Sequence, residues 1–279
     1  MGSLSAANAQ FCFDVFKEMS YDHTIENLFF SPVALLSALA VVLFGARGDS
    51  ASQMEKCAQD THSHIQAFLS EINKSSNSHV HMASGIFAEE AYPFLPSQSK
   101  TVQMMWLQGH FRLGTIKEPP IQVLEMPDSE DHLSMVIVLP SKDFSLGQII
   151  KEITYEELKN WIDPAIMKDT AVDLYLPQLR LDECHEDLTS ILSALGMADV
   201  FDHSRADLSG VTTGGRLVVS KIIQKAMVEV TEDGSESAPT NHTSEVENPE
   251  IFKVDHPFLF FILHQKTKMI LFYGRVSTP

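Results

Sequence analysis

Residues 133–139 read Leu-Ser-Met-Val-Ile-Val-Leu, apolar at nearly every position. A strand with one wet face alternates apolar and polar residues, whereas a strand covered on both faces reads as a continuous apolar run. This segment is therefore expected to sit inside a sheet with structure packed against both of its sides. With 279 residues, 44% of them hydrophobic, the chain can bury a core of that kind.

Around this segment the pattern changes character along the chain. The first sixty residues read as helical: Phe11, Val15, Phe16 and Met19 recur at helical spacing, with Asp14, Lys17 and Glu18 on the other face. Residues 28–44 form the longest apolar stretch, interrupted by Ser31, Pro32 and Ser37, and read as a buried helix. Ser31 suits its cap, Pro32 its first turn and Gly45 its far end. A polar helix is expected over 50–58, and Ile65, Leu69 and Ile72 suggest a fourth. Beyond Val80, short strands are expected at 101–105, 111–116, 123–126 and 133–139. Helices return at 146–161 and at 188–195, the second ending at Gly196. Between them Val172, Leu174 and Leu176 alternate with Asp173 and Tyr175, a half-buried strand stopped by Pro177. Residues 217–230 are extended, and two apolar strands, 258–263 and 269–273, close the chain as a hairpin.

Two segments do not belong to a core. Residues 92–100 are a short Pro/Ser linker. Residues 231–250 are the longest polar stretch, with two prolines and no periodicity, and a loop of that length inside a compact chain serves a function or is disordered.

Charge and motifs exclude several classes. With 37 acidic against 20 basic residues the formal charge is −17, which repels phosphate backbones and anionic lipid, so neither nucleic acid nor a membrane surface is expected as a partner. Cys12, Cys57 and Cys184 are too few and too scattered for a disulfide framework. No basic n-region and apolar h-region open the chain, and Ala6 stands where a myristoylation signal needs Ser or Thr. A cytoplasmic protein is expected on that ground. No GxSxG elbow, Walker loop, HExxH helix or Rossmann glycine pattern occurs, so an enzyme is not expected and no cofactor is called for. His62/His64 and His79/His81 form His-x-His pairs, but no Cys or carboxylate lies at ligand spacing, and they read as solvated surface rather than a metal site. Asn73 and Asn241 match the glycosylation pattern, which a chain without a leader does not ordinarily meet.

Several stretches, in order, resemble the ovalbumin-like intracellular branch of the serpin family. They are Asn27-Leu-Phe-Phe-Ser-Pro32, Ser37-Ala-Leu-Ala40, Gly45-Ala-Arg-Gly48, Phe87-Ala-Glu-Glu-Ala-Tyr-Pro-Phe-Leu-Pro96, Thr101-Val-Gln-Met-Met105, Arg205-Ala-Asp-Leu-Ser-Gly210, Asp255-His-Pro-Phe-Leu-Phe-Phe261 and Ile270-Leu-Phe-Tyr-Gly-Arg275. The resemblance implies one α+β domain over 1–279, with three β-sheets, surrounding helices and an exposed reactive loop at 231–251. It implies inhibition of a serine or cysteine endopeptidase, in which the cleaved loop inserts as a strand into the central sheet; serpin loop insertion is a standard example of strand addition. It also implies that secretion to the extracellular space is open to the chain, as it is to relatives. By the same resemblance Glu232, Asp233, Gly234, Ser235, Glu236, Ser237, Ala238 and Pro239 form the hinge. Ser31, Ala34 and Gln224 lie beneath the opening sheet. The scissile bond is Asn248-Pro249 counted forward from Glu232, or Thr243-Ser244 counted back from Phe252.

The departures carry their own expectations. Between Pro96 and Thr101 the chain omits a helix, a sheet strand, the helix crossing the sheet and a second long strand that a family member would have. The sheet is left short of a flanking strand, and an unpaired edge invites self-association. Pro239, in a hinge where small residues usually run, has no N–H for a ladder. Ala34 replaces a common Ser, and Gln224 a His usual in inhibitory members. Together these count against insertion and favour the alternative: a non-inhibitory serpin (storage, partner-binding or degenerate splice product) cleaved as an ordinary substrate.

Overall fold

Ser31 divides the apolar run at 28–44 into two elements. In the computed structural model, which describes residues 3–22, 26–58, 104–128, 132–212, 217–231 and 248–278, Leu28–Phe30 is a strand, β1, and Pro32–Gly45 a helix, α2. Ser31 has extended backbone, φ −110°, and its side chain accepts the Ala34 amide hydrogen, which makes it the cap the sequence suggests. Pro32, with no N–H to leave unpaired, fills the first turn. The strand ahead of the cap is a departure from the expected helix. Its three residues pair with Tyr273, Gly274 and Arg275 near the other end of the chain, a cause no local window contains.

The remaining helices are α1 (Ser3–Asp22), α3 (Gly48–Ala58), α4 (Leu146–Glu152), α5 (Tyr155–Trp161) and α6 (Thr189–Ala194). The strands are β2 (Met104–Ile116), β3 (Ile121–Pro127), β4 (Leu133–Pro140), β5 (Lys168–Pro177), β6 (Leu179–His185), β7 (Gln224–Val230), β8 (Glu250–Lys253), β9 (Phe258–His264) and β10 (Met269–Val276). Of the expected strand 101–105 only 104–105 are described; they and the expected 111–116 run together in β2, whose length is held against β5 and β3. The helix expected over 146–161 is broken at Ile153 and Thr154. Thr154 accepts from the Glu157 amide while the Glu157 carboxylate accepts from Thr154, a capping box that starts α5 afresh. Only the last part of 217–230 is a regular strand. Ile65, Leu69 and Ile72, both His-x-His pairs, Asn73, Asn241 and the junction at 96–101 lie outside the described residues.

Eight strands form one sheet in the order β1-β10-β9-β4-β3-β2-β5-β8, and β6 and β7 form a separate antiparallel pair. The unalternated run at 133–139 behaves as its composition demands. Val136 and Val138 point into a core shared with α1, α2 and the later helices, while Ile137 and Leu139 point into a second core on the other face. Neighbouring strands divide likewise, with Leu259, Phe261 and Leu263 on the helical side and Phe258 and Phe260 on the other. On the helical side Tyr273 stacks on Phe16 at 3.8 Å and on Phe261 at 4.4 Å; on the other, Phe29 stacks on Phe260 and Phe272. Each such ring removed from water contributes about 1.5–3 kcal/mol before conformational costs. Leu179, Leu181 and Ala226 cap the second core, so the two-stranded sheet covers that face of the larger one.

Candidate functional site

The site is the frame from which residues 232–247 are strung. Its upstream post is β7 and its downstream post β8. β5 runs through Pro177 almost directly into β6, so one stretch of chain supports both posts. β7 ends at Val230 opposite Leu179, and β8 begins at Glu250 opposite Val172 in a parallel pairing with β5. The two posts are therefore separated by at most the seven residue steps from 172 to 179, about 23 Å of strand, plus about 5 Å of strand spacing at each end. The intervening chain, extended at about 3.3 Å per residue, is long enough to reach about twice as far, so the frame does not hold it taut.

The foot of the upstream post is built from Ser31, Ala34 and Gln224. Gln224, the first residue of β7, is buried, and its Nε2 donates to the Ser31 carbonyl at 2.6 Å while its Oε1 accepts from the Ser31 amide at 3.4 Å. One side-chain amide thus binds both main-chain groups of the residue between β1 and α2, and the carbonyl also accepts the Leu35 amide at 3.1 Å. The Ser31 hydroxyl donates to the Leu271 carbonyl at 2.7 Å and accepts from the Ala34 amide at 3.2 Å, which ties the same residue to β10 and to the helix. The structure brings together all three residues that sequence placed under the sheet. It adds one that sequence reasoning missed: His185, paired with Gln224 across the ladder, has Nε2 3.1 Å from the Phe29 carbonyl. The β6–β7 pair is fastened to β1 by two side chains side by side. No sequence signal marks His185, because its partner lies 156 residues away.

The downstream post is fixed electrostatically. After β8 the chain turns through Asp255 and His256. Asp255 Oδ1 lies 2.9 Å from His256 Nδ1, and the His256 Nε2 is 2.6 Å from the Pro140 carbonyl at the end of β4. The His256 hydrogen bond, with Lys142 and Lys253 beside it, holds the Asp255 carboxyl down to about 2. Upstream, burial with Glu26 and Asp182 nearby pushes Glu183 on β6 above the ordinary carboxylate range.

Of the two candidate bonds, Asn248-Pro249 falls in described chain. Asn248 is exposed in left-handed backbone, φ 58°, a conformation Asn tolerates better than most residues, and Pro249 leads immediately into β8. That bond lies against the post rather than out on the span. Thr243, Ser244 and the hinge residues Glu232, Asp233, Gly234, Ser235, Glu236, Ser237, Ala238 and Pro239 lie outside the described residues. Beside β7, on the side away from β6, the described residues contain no further strand.

Comparison with known proteins gives consistent matches. The family model described as serpin (serine protease inhibitor) matches residues 6–97 and 93–279, two segments that meet where the sequence departs from its relatives. Serpin B8 from Homo sapiens is 31% identical and ovalbumin from Dromaius novaehollandiae 30%, each alignment covering 100% of both chains. The Serpin B8 alignment runs to 377 positions against 279 residues here, so about a hundred positions have no counterpart in this chain. Among solved structures, uncleaved ovalbumin superposes with a TM-score of 0.80 at 26% identity over 100% of both chains, and maspin with 0.83 at 24% over 99% and 98%. No helix among the described residues is long and apolar enough to cross a membrane.

Proposed function

The chain belongs to the serpin family, and from that premise we propose that it presents residues 231–251 to a serine or cysteine peptidase and is cleaved there without trapping it. It is a single domain over 1–279, shortened between 96 and 101, with Ser31, Ala34 and Gln224 as the fastening beneath the loop's upstream strand. The observation that carries this reading is the two-stranded β6–β7 sheet. Trapping requires the cut loop to enter a sheet between two strands and gain a ladder on each side. Here the strand that leads into the loop has β6 as its sole partner among the described residues. An entering segment gains one ladder, and Pro239 at the end of the hinge withholds an N–H from it. A bistable sheet is the engine of such a transition, and half of one does not supply it. The relatives named leukocyte elastase inhibitor, 31% identical from Sus scrofa, support a peptidase as the class of partner.

The test is incubation with trypsin-like, elastase-like, chymotrypsin-like and cathepsin-like peptidases, followed by denaturing electrophoresis and active-site titration of the peptidase. Cleavage with full recovery of peptidase activity is expected. A denaturation-resistant adduct with any one of them overturns the proposal and establishes the inhibitory reading.

A further inference from the structure

We infer that the outer edge of β7 is a self-complementary interface, at which two copies of this chain pair antiparallel about a twofold axis through Met227. Among the described residues no strand lies beside this edge, and the outward side chains along it are open: Met227 is 55% exposed, the Lys225 side chain 65%, and Glu229 is exposed as well. An edge without a partner strand is a row of main-chain donors and acceptors waiting for one. What selects a second copy of the same strand is its side-chain order, Gln224-Lys-Ala-Met-Val-Glu-Val230.

In an antiparallel pair directly opposed side chains lie on the same face, and a twofold axis through Met227 opposes Lys225 to the other copy's Glu229 and Glu229 to its Lys225. Met227 meets Met227. On the covered face Ala226 meets Val228, small beside branched, and Gln224, whose amide is turned to Ser31, meets Val230. Neighbouring registers lose this. Moving the axis by one residue sets Lys225 or Glu229 against Met227, and by two residues opposes Lys225 to Lys225 or Glu229 to Glu229. A register of the other parity would turn the covered side chains toward water.

The strand behind β7 extends the pattern. Arg180 on β6 lies opposite Glu229, and Cys184 opposite Lys225. Across the joined four-stranded sheet a row then reads Arg180, Glu229, the second copy's Lys225 and its Cys184, so each charge has an opposite charge beside it. Lys225 already touches Asp182 at 3.2 Å, and that contact lies on the β6 side and leaves the outer side open. The net charge of −17 opposes association at long range. At physiological ionic strength the screening length is about 8 Å, so the global repulsion fades while pairs about 5 Å apart across adjacent strands still act. Seven residues a side bury less than a standard interface, so the dimer is weak, forming at tens to hundreds of micromolar.

The experiment is sedimentation equilibrium from about 10 µM to 500 µM in 0.15 M salt. The wild-type chain is expected to dimerise over this range. Lys225→Glu alone and Glu229→Lys alone each place like charges at both symmetry-related contacts and should weaken the dimer tenfold or more, about 1.4 kcal/mol or above. An equal mixture of the two variants restores opposite charges at both contacts and should form a heterodimer as tight as the wild type. That recovery also shows that both variants are folded. Met227→Lys supplies an independent check: it opposes two lysines on the axis, while Asp182 across the ladder on β6 keeps the new charge partnered in the monomer. A wild type that stays monomeric to 500 µM, as it would if residues 232–247 of the same chain occupied the edge, overturns the inference. So does association indifferent to Lys225→Glu and Met227→Lys, or a mixture no tighter than its components.

Discussion

Replacing Gln224 by Leu removes the amide that serves Ser31 while keeping a side chain of similar volume in the same buried place. The bond to the Ser31 carbonyl, at 2.6 Å, is short and both partners are buried, whereas that from the Ser31 amide, at 3.4 Å, is long. The carbonyl keeps the Leu35 amide as a donor at 3.1 Å, so loss of its second bond costs about 1 kcal/mol. The Ser31 amide, whose bond is long, loses its acceptor and stays buried, which costs about 1–2 kcal/mol more. The gain in apolar area from Leu offsets about 1 kcal/mol at most. A net loss of about 1–2 kcal/mol follows. For a chain of this size, unfolding entropy near 2 cal/mol/K per residue converts that to a fall in Tm of about 2–3 °C. Chemical denaturation and calorimetry should agree on it, and Gln224→Asn, too short to reach, should lose a similar amount. A Leu variant within 0.5 kcal/mol of wild type would refute the claim that this amide fastens β7 to the β1–α2 junction.

Cleavage of the loop should raise Tm by little or nothing, since an entering segment gains one ladder and meets Pro239; a large upward shift in calorimetry would show that β6 and β7 accept it after all. Mass spectrometry of the cleaved chain should place the dominant cut near Thr243-Ser244, because Asn248-Pro249 lies against β8 and its proline withholds the N–H a peptidase uses; dominant cleavage at Asn248-Pro249 would count against this. Asp255 is held at about 2, below its unfolded value near 3.9, so it stabilises the fold above pH 4 and loses that contribution as pH falls from about 4 to 2. Asp255→Asn should therefore lower Tm at pH 7 and converge with wild type near pH 2, and a gap that persists unchanged in acid would contradict the assignment.

Sequence and structure agree where the cause is local, the break before α5 excepted. The Ser31 cap, the alternation in β5 and the closing hairpin β9–β10 are each written in neighbouring residues, and the family motifs give the frame of the site. Where they part, the cause is a partner far along the chain. Leu28–Phe30 looks like the start of α2 until β10 claims it, and β2 looks like two strands until β5 pairs with Met104 to Leu113 without a break and β3 takes up the rest. Gln224 and His185 reach residues 193 and 156 positions away, so their service to Ser31 and Phe29 is invisible to any window. The break before α5 was legible: Thr154 and Glu157 stand at capping-box spacing, and the apolar rhythm over 146–161 conceals them.

The position of β9 and β10 has a consequence for the cut chain. β9 lies between β10 and β4, near the middle of the eight strands, with Phe258, Leu259, Phe260 and Phe261 wholly buried, and β10 holds β1 on its far side. A peptidase that severs the chain in the loop frees no tail. It converts a monomer into a two-polypeptide particle whose smaller member, running from the cut to Pro279, is a keystone clamped on both flanks. Such a particle should keep its mass in native sedimentation and split only under denaturant. Once parted, its larger member, robbed of two interior strands, has no route back to the native sheet except by recapturing that peptide.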